Sequence, residues 1–156
     1  MHRDMEFSKA AAALGDLFDG DIKVGGNYLP LVRDGNRVYI SGQIPRFRER
    51  IIVTGRAGVE VSLQQAQLAA RLCAMRALAL LQRSLGSLER VRSLLHMNVY
   101  VQSGETFTQQ SEVADGASEL LHAVLGQAGR HTRTSVGVFQ LPKNATVELD
   151  LTAVAE

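Results

Sequence analysis

The sequence predicts an α+β domain whose single mixed sheet carries helices on one face only, and three observations lead there. The predicted elements run in the order ββ(β)αβαββ, with two long helices and about six strands. Both helical segments repeat apolar residues at helical spacing. The strands alternate, yet the second face of each is neither uniformly polar nor uniformly apolar. A sheet covered by helices on one side accommodates all three.

Taken in order, residues 1–26 hold a short Ala/Leu stretch, Ala10 to Leu17, read as one or two helical turns and closed by Gly25–Gly26. Residues 1–25 are accordingly an N-terminal extension and 26–156 a single domain. Tyr28–Arg33 and Arg37–Ser41 flank Asp34–Gly35–Asn36, where Asp-Gly supplies the positive φ angles of a tight hairpin. Pro30 places the first strand at an edge or a strand start. Residues 42–61 read as loop, with a candidate third strand at Ile51–Val53. Ser62, with Gln65 three residues on, forms a capping box for a helix that runs through Leu85 and stops at Gly86. Ala66, Ala69, Ala70, Cys73, Ala77, Leu80 and Leu81 are its buried stripe. A β run over Val91–Val101 follows, then a helix from about Thr108 to Leu125, with Val113, Ala117, Leu120, Leu121 and Val124 on one face. Arg133–Phe139 and Thr146–Val154 are the closing strands.

Composition removes several function classes. A chain of 156 residues fits one domain with a full core. Lys and Arg number 17 against 16 Asp and Glu, which gives no reason to expect nucleic acid or an anionic membrane as partner. The basic run Arg46 to Arg50 is broken by Glu49 and reads as a solvated surface segment. Arg71, Arg76 and Arg83 interrupt the longest apolar stretch, so no membrane span is expected. No signal peptide is legible, and Cys73 is the only cysteine; a cytoplasmic setting is the expectation. Cys73 itself reads as a small core residue. His2 and His122 form no metal-ligand spacing with His96, His131 or Cys73, so no metal is expected.

Alternation divides each strand. Val147, Leu149 and Leu151, Val136 and Val138, Val38 and Ile40, and Leu95, Met97, Val99 and Val101 are expected beneath the helices. The opposite sets hold Glu148 and Asp150, Arg133 and Ser135 with Phe139, Tyr39 and Ser41, and Leu94, His96, Asn98 and Tyr100. So much apolar surface is unusual on a solvated face, and charges such as Arg133 and Asp150 are costly inside a core. Subunits joined through this face, with polar clefts between them, resolve both: a closed homo-oligomer with interface sites.

Tyr28, Ser41–Gly42–Gln43–Ile44–Pro45, Arg133–Thr134–Ser135–Val136–Gly137–Val138, Leu141–Pro142–Lys143 and Val147–Glu148–Leu149–Asp150 together resemble the Rid family. These are the reactive intermediate deaminases, also called YjgF-type or L-PSP endoribonuclease-like proteins. The resemblance covers about residues 26–154, and Arg71–Leu72–Cys73–Ala74 with Asp115–Gly116–Ala117–Ser118 resemble a less-studied branch. It implies a chorismate-mutase-like fold, a homotrimer whose sheets form a central barrel, and clefts between subunits. It further implies that Arg133 holds the carboxylate of an enamine or imine derived from an amino acid. Water then attacks the imine carbon and ammonia leaves, giving a 2-keto acid without metal or organic cofactor. By the same resemblance Asp150 lies near the water, and Tyr28 and Ser41 line the cleft. Arg suits its part, because its rigid fork stays charged and can grip a carboxylate with two hydrogen bonds.

The sequence departs from the best-known members at Ser135, where they carry cysteine, at His131, where they carry proline, and at Asp150, where they carry glutamate. Their helix-borne asparagine has no clear equivalent, with Asp115 or a neighbour as candidate. His131 is read as a further substrate contact or acid/base. Three functional readings follow: imine hydrolysis, non-catalytic binding of a small carboxylate metabolite, and ribonuclease activity, which near-neutral charge opposes. The structural alternative for Arg133 is an ion pair with Glu148 or Asp150 across neighbouring strands.

Overall fold

The computed structural model describes residues 2–156. Helix α1 spans His2–Leu14, β1 Leu31–Asp34, β2 Arg37–Gln43, β3 Arg46–Phe47 and β4 Arg50–Ile51. They are followed by α2 at Leu63–Leu85, β5 at Val91–Gln102, α3 at Gln110–Leu125, β6 at Thr132–Val138 and β7 at Val147–Ala155. Five strands form one sheet in the order β1-β2-β7-β5-β6. Only the β5–β6 pair is parallel; the others run antiparallel. β3 and β4 make a separate two-stranded ladder, so the candidate strand at Ile51–Val53 leaves the main sheet. The expected α+β class, mixed sheet and chorismate-mutase-like arrangement are present.

α2 begins and ends where its sequence signals stand. The Ser62 hydroxyl accepts from the Gln65 amide at 3.1 Å, the Gln65 side chain accepts from the Ser62 amide at 2.9 Å, and Gly86 closes the helix at φ 85°. All seven residues of the predicted stripe are buried. So are Leu72, Met75 and Leu78 around the rest of the helix, because the sheet lies on one side of α2 while α3 and α1 pack on the others.

α1 is longer than the one or two turns expected, and the reason is tertiary. The Asp4 carboxylate accepts from the Leu88 amide at 2.9 Å and from Gln82 Nε2 at 2.8 Å. Arg3 donates to the carbonyls of Leu88 and Val91 at 3.2 and 2.6 Å. Phe7 is buried, with its ring edge-on to Phe18. Charged residues that read as loop thus fasten this helix to the corner before β5.

Two strand faces differ from the alternation. A bulge between Leu94 and His96 shifts the β5–β7 register, which buries Leu94 to 2% exposure and leaves Leu95 only partly covered. In β6 the parallel register sets Arg133 beside Met97 and Ser135 beside Val99. Met97 and Val99 are fully buried beneath the helices. Arg133 and Ser135 therefore lie on the helix side, and Val136, expected in the core, is exposed on the open side. β6 is an edge strand, and the part of α3 over it is polar, so polarity does not report the face there. Across the open face run rows of paired residues: Val32–Tyr39–Thr152–His96–Thr132, Asp150–Asn98–Thr134 and Glu148–Tyr100–Val136.

Candidate functional site

Arg133 is held by one turn-spaced stripe of α3. Its NH1 donates to Asp115 Oδ1 at 2.9 Å and to Ser118 Oγ at 3.0 Å; its NH2 donates to Ser111 Oγ at 2.8 Å and to the Ser111 carbonyl at 3.2 Å. Residues 111, 115 and 118 share a helix face by their spacing. On its other side α3 packs closely on α2, because Gly116 leaves no Cβ to meet the Gln67 carbonyl, 2.4 Å from where that atom would sit. The expected ion pair with Glu148 or Asp150 is replaced by one with Asp115. β5 separates β6 from β7, and the acids of β7 point to the open face.

His131 completes this edge. Its Nδ1 lies 2.7 Å from the Gly129 carbonyl, which can only accept, so Nδ1 carries the proton. Nε2 then accepts from the Ser118 hydroxyl at 2.9 Å, while that oxygen accepts from Arg133. Burial pushes the His131 pKa below the ordinary histidine range; the Gly129 contact works the other way, and the Arg133 charge adds to the lowering. Arg133, Ser118 and His131, with His122 and Arg130, line a recess open to solvent. Ser135 follows Arg133 on the same side of the strand, partly buried.

Asp150 stands elsewhere. It accepts from Asn98 Nδ2 at 2.9 Å, and Asn98 Oδ1 is 3.0 Å from His96 Nε2. His96 Nδ1 meets Thr132 Oγ1 at 2.8 Å. This network belongs to the open face, so one protomer does not bring Asp150 and Arg133 together.

Tyr28 and Ser41 lie at the opposite edge. The Ser41 hydroxyl donates to the Leu29 carbonyl at 2.7 Å, which fixes the segment carrying Tyr28 against β2. Ser41 is thus a tether, and Tyr28, half exposed, is a wall. β2 bulges between Ile40 and Gln43. Gly42 in that bulge makes room for Glu148, whose Oε2 is 2.4 Å from where a Cβ would stand. Tyr28, Gly42 and Glu148 line a recess of about 200 Å³ with Arg46, Arg76 and Lys143. Burial, then the neighbouring Asp150 charge, pushes the Glu148 carboxyl above its usual range. The same two causes, with Glu148 itself, raise Tyr100.

Ser111, Ser118 and Glu148 were not among the predicted site residues. The polar repeat at 111, 115 and 118, spaced to share one face of α3, was the signal for the first two. Cys73 is fully buried, and burial drives its thiol pKa up, so it is no nucleophile. Among the described residues, no three His, Cys, Asp or Glu are grouped to hold a metal ion. No helix among them is long and apolar enough to cross a membrane.

Comparison with known proteins agrees with this fold. The profile of the family described as "YjgF/chorismate_mutase-like, putative endoribonuclease" matches residues 5–154. Protein TCP17 of Trypanosoma cruzi is 42% identical over 125 residues, which is 80% of this chain and 78% of that protein. The crystal structure of Atu1372 from Agrobacterium tumefaciens superposes with a TM-score of 0.88 at 38% identity, covering 99% of this chain and 95% of the other. E. coli TdcF, solved with bound serine, shares the fold at a TM-score of 0.62 and 24% identity, covering 85% and 91%. The chain belongs to the YjgF/chorismate-mutase-like family, the L-PSP or Rid-type proteins.

Proposed function

We propose that the protein is a homotrimer that binds a small carboxylate-bearing metabolite between its copies and hydrolyses reactive enamines or imines to 2-keto acids and ammonia, without metal or organic cofactor. The observation that carries this reading is the division of the site residues between opposite edges of one sheet. β1 and β6 are both edge strands, with backbone groups free to meet another chain. A head-to-tail contact between the β6 edge of one copy and the β1 edge of the next joins Arg133, Ser118 and His131 to Tyr28, Gly42 and Glu148. Such a heterologous contact closes into a ring when its rotation allows. Val32, Tyr39 and Val136, exposed on the open face, then line its interior.

The chemistry follows from the residues. Asp115 is 48% exposed, so an incoming carboxylate can take its place on the Arg133 fork. Water adds to the imine carbon to give a carbinolamine. The nitrogen gains a proton and leaves as ammonia, while the oxygen loses its protons and remains as the ketone. Neutral His131 accepts at Nε2 beside this fork and is suited to carry a proton between water and nitrogen. Asp150 serves as a water acceptor only where the open face of one copy borders the cleft. The serine bound to TdcF, itself a small carboxylate, fits the same ligand class. Asp150 lying on the opposite face from Arg133 favours a second reading, a trimer that binds such metabolites without turning them over.

The test is ammonia and keto-acid release from freshly generated 2-aminoacrylate. Arg133→Ala should lower the rate by about 100-fold, the worth of charge-assisted hydrogen bonds lost from the substrate. Acceleration that survives this change refutes the site. Stabilisation by keto acids that depends on Arg133, without turnover, establishes the binder. RNA cleavage that survives it and rigorous nuclease removal points instead to a ribonuclease.

A further inference from the structure

The recess beside Tyr28 backs onto a second one, of about 400 Å³, lined by Asp19, Asp21, Glu49, Lys23, Arg46, Arg48 and Arg76. Lys23, Arg46 and Arg76 line both. Arg76 projects from the middle of α2 and is only 6% exposed. Its Nε donates to Gln43 Oε1 at 3.1 Å, and its NH1 to the Arg46 carbonyl at 2.9 Å. Two of its five N–H bonds are thus used. No buried side-chain nitrogen or oxygen among the described residues lacks a partner, so the guanidinium nitrogen left over reaches a recess.

None of the carboxylates lining the two recesses, Asp19, Asp21, Glu49 and Glu148, forms an ion pair with Arg76. Asp19 is engaged with Arg48 at 3.5 Å and Asp21 with Lys23 at 4.0 Å. Among the described residues, neither Arg46 nor Arg76 has a carboxylate within 4.0 Å. Burial disfavours the charged form of Arg76, and the positive Arg46 beside it does so too, with Cys73, Asp19 and Tyr28 acting against them. A nearly buried cation is normally retained with a counter-charge. Here a second cation, Arg46, with its guanidinium 3.4 Å from where a Gly25 Cβ would be, lines the same two recesses as Arg76.

We propose that Arg76, Arg46 and Lys23, which stand at the opposite edge of the protomer from its own Arg133, form an anion site where the two recesses meet, one that takes a small phosphate-type dianion, free or carried on a metabolite. Arg76 and Arg46, neither paired with a carboxylate, match two negative charges, and their two forked guanidinium groups suit a multi-oxygen acceptor, with Lys23 shared with Asp21 at 4.0 Å. Tethering the β2–β3 segment to α2 accounts for two hydrogen bonds of Arg76 but not for the placement of Arg46. That tether uses the Arg46 carbonyl, so Arg46→Gln removes a cation and leaves the tether in place.

The experiment is thermal unfolding of the full chain with inorganic phosphate at constant ionic strength. At ten times its Kd, phosphate should raise Tm by about 3–6 °C in the wild type and in Arg133→Ala. The rise should fall below about 1 °C in Arg46→Gln and Arg76→Gln. If Arg76→Gln does not fold, Arg46→Gln decides alone. Glycerol phosphate in place of phosphate separates the sources: an equal rise assigns the site to phosphate esters, no rise to the free ion. No rise in the wild type beyond matched chloride, or a full rise in Arg46→Gln, overturns the site.

Discussion

At the β6 edge the donors of Arg133 and His131 are tied to α3 and the turn before β6, whereas at the β1–β2 edge the polar groups line an open recess around a bulge. Arg133 makes four hydrogen bonds with its two terminal nitrogens. Glu148, across the sheet, occupies space that only a glycine at position 42 leaves free. On the proposed reading the first edge is an orienting half, fixed before any ligand arrives, at the cost of an internal carboxylate that a ligand must displace. The second, on that reading, is a receiving half, shaped by absence of a side chain. Rigid donors reduce what binding must order, and a preformed recess supplies the volume.

The sharpest way to break this contrast is to fill the receiving half. Gly42→Val forces a side chain into the Glu148 carboxylate. It should lower imine hydrolysis or carboxylate binding by at least about tenfold and cost about 1–3 kcal/mol of stability from overpacking, read by denaturant titration. Unchanged binding in that variant would remove the recess from the site. A smaller effect of opposite sign is expected at the orienting half. Asp115→Asn keeps the shape but removes the competing charge, so a small keto acid should bind about fivefold tighter by calorimetry, matching roughly 1 kcal/mol for a partly exposed ion pair. Weaker binding would mean that Asp115 supports the ligand instead of competing with it.

The smallest effect is in pH, where the two edges run in opposite senses. His131 is held neutral, so the unfolded chain binds more protons as pH falls through the ordinary histidine value of about 6.5. Stability from that edge declines below this pH. The Glu148 carboxyl is raised by burial and by Asp150, so the folded chain binds more protons just above the ordinary carboxyl value of about 4.3. Stability from that edge declines as pH rises from there through the raised value. Denaturant midpoints of His131→Gln and Glu148→Gln should each lack one of these slopes, and wild-type slopes in both would contradict the assignment.

Much of the frame was legible because its signals are local. Ser62, Gln65 and Gly86 bounded α2 by capping chemistry alone, and alternation placed Val38, Ile40, Leu149 and Leu151 correctly in the core. What failed depends on pairing between distant segments. The bulge exchanging Leu94 and Leu95 is set by register against β7, and the side on which Arg133 lies is set by parallel pairing with β5. α1 was undervalued because Asp4 and Arg3 act through residues 82–91, which no local pattern reveals. The candidate site residues do not form one group in the protomer. Arg133, His131 and Ser135 belong to one edge, Tyr28 and Ser41 to the other, and Asp150 to the open face between.

That division makes the most direct test a mixing experiment. Arg133→Ala disables the orienting half, Tyr28→Ala the receiving half, and each homo-oligomer should lose imine hydrolysis or carboxylate binding. Co-refolded at equal amounts, the two should form mixed rings in which about a quarter of the interfaces join an intact Arg133 edge to an intact Tyr28 edge. The account predicts recovery of roughly a quarter of wild-type activity or binding stoichiometry on mixing. No recovery, with mixed rings verified by mass, would place both halves in one protomer and contradict it.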